Sequence, residues 1–328
     1  MADKIRWGII GCGRISRRMM GGLLNCEKAV AQAIYSRSIE RANAFADEFD
    51  IPGRFNDLDE LLNSGTIDVC YIAANHPYHE KLAIKCMEAG YPVLCEKPIA
   101  VNAGQLERMI DCAKKNDVLL MEAIWTRYFP AYKQVKEWLD EGAIGKVYAV
   151  DSQLGFKFDI TDKEERVFRF SEAGSTLLDL GVYQLNIFQL ITGSSPEVLN
   201  ASPLIGKETG TDITDCAVMR YENGIIGTMV LSFEVDLSCE LNIIGEKGRI
   251  VVPMMTQPKS VKLINGDTYT EKTYDFPGEG FQFEVDAFSQ YVIDGVKDSP
   301  VMPLAVSLEI AKLMDNIRKS WGIEYPCE

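Results

Sequence analysis

Short apolar runs take turns with amphipathic stretches over the first third of the chain. Residues 5–10, 29–35, 69–73, 92–95 and 118–121 read as buried strands. Helical patterns fall between them at 39–49, 57–62 and 77–89. The last of these has Leu82, Ala83, Cys86 and Met87 on one face and Gly90 as its stop. Asn102 caps a further helix, with Gln105 at the capping-box position and Leu106, Met109, Ile110 and Ala113 turned inward. Strand and helix in strict alternation predict an α/β domain built on a doubly wound parallel sheet.

The pattern changes beyond residue 122. A helix is expected at 131–139, a strand at 147–154, and a long, almost wholly apolar helix at 175–191 closed by Gly193. Hairpin signals follow. Asn223-Gly224 separates 218–221 from 225–233, Asn265-Gly266 separates 261–264 from 268–274, and 246–248 makes a third turn. A final helix is expected at 305–318. The prediction is a dinucleotide-binding domain over 1–122. An α+β domain with a mostly antiparallel sheet, for substrate binding and oligomerisation, is expected over 123–328.

A chain of 328 residues fits two domains at the usual ~150 residues each. Its 48 acidic residues outnumber 34 basic ones, for a net charge of −14, which argues against nucleic acid or an anionic membrane as partner. No apolar run is long enough to span a bilayer, and the first residues enter a strand-like run with no signal-peptide core. Nine Cys without a CxxC pair, mostly in apolar segments, read as reduced, buried thiols. A cytoplasmic protein is therefore expected.

The first strand runs into Gly11-Cys12-Gly13-Arg14-Ile15-Ser16, which opens a helix. Two glycines let the backbone turn tightly and approach a pyrophosphate, and the helix N-terminus supplies free N–H groups and partial positive charge. Ser16 stands where a third Gly or Ala is usual. Gly11, Gly13, Arg14 and Ile15 are the candidate contacts here. At the end of the second strand an NAD site wants an acid for the ribose hydroxyl, but this chain has Ser36, Arg37 and Ser38, with Arg41 one turn on. Guanidiniums and hydroxyls at a helix start suit a 2′-phosphate, so NADP is expected over NAD. The plain alternative is that both arginines are solvated surface charges.

Ligands of an open parallel sheet bind beyond the carboxyl ends of its strands. Two segments end there: 74–79 (ANHPYH) and 95–98 (CEKP). Lys97 follows a buried strand, so its charge must meet water, a carboxylate or a ligand. It reads as a group beside the nicotinamide that anchors the reacting oxygen, or as half of a structural ion pair. On the long second-domain helix, Asp179, Tyr183 and Asn186 share one polar stripe, facing a site or a plain hydrogen bond between domains. Trp125, Phe156 and Phe158 read as an aromatic wall over a ring-shaped substrate, or as packing. His76 and His79 have helical spacing for a metal, but no third ligand stands out and no metal is expected. Nor does a Gly-x-Ser-x-Gly turn or a Cys–His pair suggest a hydrolase.

Gly11-Cys-Gly13, Glu96-Lys97-Pro98 and Asp179-x-Gly181-x-Tyr183, in this order, resemble the Gfo/Idh/MocA oxidoreductases, the glucose–fructose oxidoreductase and inositol dehydrogenase family. Residues 122–130 (EAIWTRYFP), with Tyr183 where many members have His, are similar to the branch of dimeric dihydrodiol dehydrogenases and NADP-dependent xylose dehydrogenases. Glu172-Ala173-Gly174 departs from the Gly-rich run usual there. The resemblance implies hydride transfer between NADP(H) and a hydroxyl or carbonyl carbon of a sugar, polyol or trans-dihydrodiol. Tyr183 is then the acid/base, Lys97 its electrostatic partner, and Asp179 the group that orients substrate hydroxyls. It also implies that Asn75, His79 and Glu96 lie near the cofactor, that Arg127 and Arg166 lie near the substrate, and that a dimer or tetramer forms through the C-terminal sheet. Alternation such as Ala217, Met219 and Tyr221 against Val218 and Arg220 is only weakly one-sided, as a sheet with an interface on its outer face would be. Two rivals stand beside this reading. One is a dinucleotide-binding regulator without turnover, which would be expected to lack the Lys or the Tyr. The other is a keto-sugar reductase working in the opposite direction.

Overall fold

A computed structural model describes residues 4–162 and 164–328. By backbone proximity the chain forms two compact units. One runs to Trp125 and takes in Phe276–Leu308; the other comprises Thr126–Asp275 and Glu309–Glu328.

The strands of the first unit are β1 (Ile5–Ile10), β2 (Ala29–Tyr35), β3 (Gly53–Phe55), β4 (Val69–Ile72), β5 (Val93–Glu96) and β6 (Leu120–Ala123). Among the described residues they make a six-stranded sheet, ordered β3-β2-β1-β4-β5-β6, with every pairing parallel. Every residue of β4, β5 and β6 is buried, which is why they read as continuous apolar runs. The connecting helices are α1 (Arg14–Leu24), α2 (Ile39–Phe49), α3 (Leu58–Asn63), α4 (His79–Glu88) and α5 (Ala103–Lys115). Their starts are fixed by side chains. Ser38 accepts from Arg41 N, Asp57 from Asp59 N, and Asn102 from Gln105 N. Gln105 reaches back one residue further than a capping box requires, to Val101 N at 3.0 Å. Since all strands run the same way, the glycine turn, residues 36–38, 74–79 and 97–101 all lie at the carboxyl ends of the strands.

The second unit opens with α6 (Pro130–Asp140) and the strand β7 (Val147–Gly155). A π-helical turn at Leu177–Gly181 then leads into α7 (Val182–Thr192). The strands β8 (Glu197–Ile205), β9 (Asp212–Arg220), β10 (Ile226–Ser232), β11 (Leu241–Gly245), β12 (Arg249–Val252), β13 (Ser260–Asn265) and β14 (Thr268–Thr273) follow. Among the described residues the sheet has eight strands, ordered β14-β13-β12-β11-β7-β10-β9-β8. Its pairs are antiparallel except β7 with β10. α7 covers one face, where Gln184 Nε2 donates to Ser152 Oγ at 2.7 Å. The other face keeps Val218 and Ile244 each at 39% exposure, with Cys216 beside Val218.

The chain then forms α8 (Phe281–Ile293) and α9 (Leu304–Ser320). A division at residue 122 would put α8 in the second domain, whereas it packs within the first unit. Trp7 of β1 meets Phe288 edge-on at 5.3 Å and donates its indole N–H to Ser289 Oγ. Against α1, the bare Cα of Gly22 admits Phe281, whose Cβ would lie 2.6 Å from any added Cβ. These partners lie up to 282 positions apart, so no local pattern announces them.

Candidate active site

The glycine turn fits a dinucleotide. Gly11 has φ +113° and its missing Cβ would lie 2.5 Å from Ala73 O, so only glycine serves there. Gly13 is the N-cap of α1, makes no side-chain cap, and a Cβ on it would meet nothing within 4 Å. An open approach to the first-turn N–H groups is what a pyrophosphate needs. No acidic side chain stands in that turn. Ser16 is buried and its hydroxyl donates to Gly11 O at 2.6 Å, so the departure from Gly or Ala serves to close the loop. Arg14 is exposed and Ile15 half-buried at the mouth of the turn.

Next to it, Arg37 is exposed with its guanidinium 5.4 Å from the ring centre of Tyr78. Tyr78, from the turn after β4, went unnoticed in the sequence because the cation–π pair joins two separate loops. Ser38 caps α2 and donates its hydroxyl to Glu40 at 2.7 Å, which lowers the Glu40 pKa. Ser36 is buried, and Arg41 is exposed one turn along α2.

Beyond β4 and β5 two loops are tied together. His79 is fully buried, its ring nitrogens 2.9 Å from Pro98 O and 2.9 Å from Ala74 O. Asn75 precedes the 3-10 turn at His76–Tyr78. The rings of His76 and His79 sit edge-on, 5.8 Å apart. The Lys97–Pro98 peptide is cis. Glu96 is buried and accepts from the Tyr71 hydroxyl at 2.6 Å and from Lys97 N at 3.2 Å. Glu122 accepts from Ile99 N at 3.1 Å. Two buried carboxyls thus hold the backbone on either side of the cis bond, and Lys97 rides on it, half-exposed. Burial raises the Glu96 pKa, and it raises that of Glu284 from α8 further, helped by Glu96 and Glu122. Glu96, expected near the cofactor, works here on the shape of the turn. Trp125 is stacked 4.1 Å from Phe281, with Arg18 lying 5.4 Å from its ring centre, and is only 4% exposed. Within this unit it packs.

In the second unit the π turn places Asp179 and Tyr183 on successive turns. Asp179 is buried and bound in bidentate fashion by Arg166, at 2.6 and 3.2 Å. Burial opposes the Arg166 charge, yet Asp179 outweighs it and the guanidinium pKa is raised. The two residues, 13 apart in sequence, were expected at the site separately and prove to be one unit. Tyr183 is half-buried. Arg127 is buried and holds α7 through Asn186 O and Gln189 Oε1, at 2.7 and 2.6 Å. Phe158 packs edge-on against Phe168 and Phe233, while Phe156 is 38% exposed. Ala173 has φ +55°, a conformation glycine adopts freely, which gives a physical sense to a Gly-rich run at this place.

A glycine turn on a parallel sheet, a lysine beyond a central strand, and an Asp–Tyr helix on an antiparallel sheet define a two-part nicotinamide-dinucleotide oxidoreductase. The comparisons agree. Residues 5–124 match an oxidoreductase family with an NAD-binding Rossmann fold, and 132–251 match the GFO/IDH/MocA C-terminal domain. The trans-1,2-dihydrobenzene-1,2-diol dehydrogenase of Mus musculus is 33% identical over 333 residues, with 98% of each chain covered. That of Xenopus tropicalis is 32% identical over 335 residues, covering 98% of this chain and 99% of the other. A solved 3-ketoreductase of Actinomadura kijaniata, in complex with NADP and TDP-benzene, is 25% identical with a TM-score of 0.88, covering 97% of this chain and 98% of that one. The chain belongs to the Gfo/Idh/MocA oxidoreductase family.

Proposed function

We propose that the chain is an NADP-dependent dehydrogenase acting on a secondary hydroxyl of a sugar, polyol or trans-dihydrodiol. The observation that carries the reading is the open Gly11–Gly13 turn with Arg37 over Tyr78 on the neighbouring loop. It offers N–H groups for a pyrophosphate and a cation for a 2′-phosphate. The bound nicotinamide would accept or return the hydride. The residues to 122 would bind the dinucleotide and the second unit the substrate.

In this reading Tyr183 takes the proton of the reacting hydroxyl, Lys97 anchors the oxygen as a cation, and Asp179, steadied by Arg166, orients the neighbouring hydroxyls. Asn75 and the mouth of the glycine turn, Arg14 and Ile15, contribute to the dinucleotide site, which Ser36, Ser38 and Arg41 border. Phe156 is the aromatic side chain left accessible to a substrate ring. Nine free thiols suit a reducing, cytoplasmic setting. No helix among the described residues is long and apolar enough to cross a membrane.

The test is a panel at neutral pH. NADPH appearance is followed with aldoses, inositols and trans-dihydrodiols, and NADPH consumption with keto-sugars and diketones. Turnover names the substrate class and the favoured direction. Tight NADPH binding with no turnover on any member would overturn the substrate class proposed. Arg37→Ala is expected to weaken NADP binding about 10- to 100-fold and leave NAD binding unchanged, read by fluorescence titration. An equal loss for both dinucleotides would remove the 2′-phosphate role.

The uncovered sheet face bearing Val218 and Ile244 suits a second copy of the chain, as at least a dimer. Sedimentation at micromolar concentration is expected to give a dimer or tetramer, and Val218→Glu to shift it towards monomer. A monomeric wild-type protein would refute the interface.

A further inference from the structure

Two buried carboxyls with no part in the reading so far stand at the root of the Asp179–Tyr183 helix. In the β8–β9 ladder Leu204 pairs with Thr214 but Ile205 with Asp212, which leaves Ile213 as a bulge. The bulge brings Asp212 and Asp215 to one side. Both are buried, as are Ser175 and Thr176 opposite them. Asp212 Oδ2 receives the Ser175 hydroxyl at 2.8 Å, the Thr176 hydroxyl at 2.8 Å and Leu177 N at 2.9 Å. Thr176 Oγ1 also lies 2.6 Å from Asp215 Oδ2. From the same root, Ser175 Oγ accepts from Leu178 N and Ser175 O from Asp179 N, each at 3.1 Å.

The hydrogens can be counted. Thr176 owns one hydroxyl proton and faces two carboxyls. Were both ionised, one of the two short contacts would hold no hydrogen, in a site closed to water. Asp212 Oδ2 already collects three donors, the pattern of an anion. The missing proton therefore belongs to Asp215, which donates to Thr176 Oγ1 while Thr176 donates to Asp212. We propose that Asp215 is a carboxylic acid kept protonated in the working enzyme, and that the Asp215–Thr176–Asp212 chain sets the turn from which Asp179 and Tyr183 project. Burial points the same way, raising Asp215 to about 10, with the charge of Asp212 and a hydrogen bond to it acting in the same sense and outweighing the Thr176 contact, which lowers it. The proposal rests on the roles given to Asp179 and Tyr183. The three are positioning residues. The π turn leaves its first N–H groups to outside partners, and without them it would relax towards α-helical winding and re-aim Asp179.

The full-length protein tests this with Asp215→Asn, Asp215→Leu, Thr176→Ser and Thr176→Val. Three readouts apply: the carboxylic-acid C=O band in the infrared near neutral pH, NADP binding, and kcat against KM on the fastest member of the panel. Asp215→Asn keeps a neutral donor. It should remove one component of the carboxylic-acid band, leaving that of the buried Glu284, and hold kcat within about twofold, while Asp215→Leu lowers kcat at least tenfold with NADP binding intact. Thr176→Ser should behave as wild type and Thr176→Val as Asp215→Leu, a pair that decides the matter if the Leu variant fails to fold. A wild-type minus Asp215→Asn difference spectrum with no lost acid component, or an Asn variant as impaired as Leu, would overturn the proposal. Failure of the underlying reading shows elsewhere, as normal turnover by Tyr183→Phe with the band unchanged.

Discussion

Tyr183→Phe is expected to lower kcat by about 10²–10⁴-fold while NADP binds within about twofold of wild type. The substitution removes one oxygen and keeps the ring, so a half-buried side chain on α7 is replaced without a cavity. What is lost is the group that exchanges a proton with the reacting hydroxyl. A free phenol, with a pKa of about 10, is a poor base at neutral pH and needs a cationic setting to serve as one. Lys97 and an oxidised nicotinamide are the two cations the reading supplies. It follows that Lys97→Met should also be impaired in kcat. Steady-state rates on the substrate from the panel, beside a fluorescence titration of the dinucleotide, separate chemistry from binding. Near-normal turnover in Tyr183→Phe would pass the acid/base role to another group.

The elements legible in the sequence are those whose cause is local. The buried runs at β4 and β5 and the capped starts of α2 and α5 follow from residues within one turn of each other. The hairpins were equally plain, since Asn223-Gly224 and Asn265-Gly266 place their glycines at φ +81° and +60°, where a turn requires them. β3 has only three residues, too few to carry a period. β8 is largely exposed and contains Pro203, so it lacks an apolar face to read. The parallel pairing of β7 with β10 leaves no trace in either strand. α8 is placed by Trp7, near the other end of the chain.

The site divides in the same way. Gly11, Lys97, Asp179 and Tyr183 stood out because each is an odd residue for its local setting. A bare glycine follows a strand, a charge ends a buried run, and polar groups interrupt an apolar helix. Tyr78, Glu122, Asp212 and Asp215 were missed because their meaning lies in partners on other elements: Arg37, the Ile99 backbone and Thr176. The π turn was missed too. Leu177–Gly181 has the composition of ordinary helix, and its wide winding goes with Asp212 meeting its N-terminus and Gly181 packing against Leu177 and Leu231.

Arg166→Met is expected to be nearly as damaging to activity as Asp179→Asn, although Arg166 itself need not touch the substrate. The Asp179 side chain is 5% exposed, and Arg166 covers it with two parallel hydrogen bonds while remaining 28% exposed itself. Removing the guanidinium takes two charged donors from a buried carboxylate. Breaking a buried pair in this way costs about 3–5 kcal/mol, and screening at the partly exposed arginine should bring the loss in stability towards 2–3 kcal/mol. Without the bidentate pair the carboxylate loses its fixed orientation, so substrate hydroxyls lose their guide. KM should rise and kcat fall together, for a combined loss in kcat/KM of about 10²–10³. Arg166→Lys keeps the charge but cannot offer the planar pair of donors, and should fall between. The double variant Arg166→Met/Asp179→Asn decides whether the two act as one. If they do, it is no worse in kcat/KM than either single change and more stable than Arg166→Met, because the buried charge is removed together with its bidentate donor. Losses that simply multiply would mean that Arg166 and Asp179 serve the reaction separately, and that the bidentate contact is incidental to it.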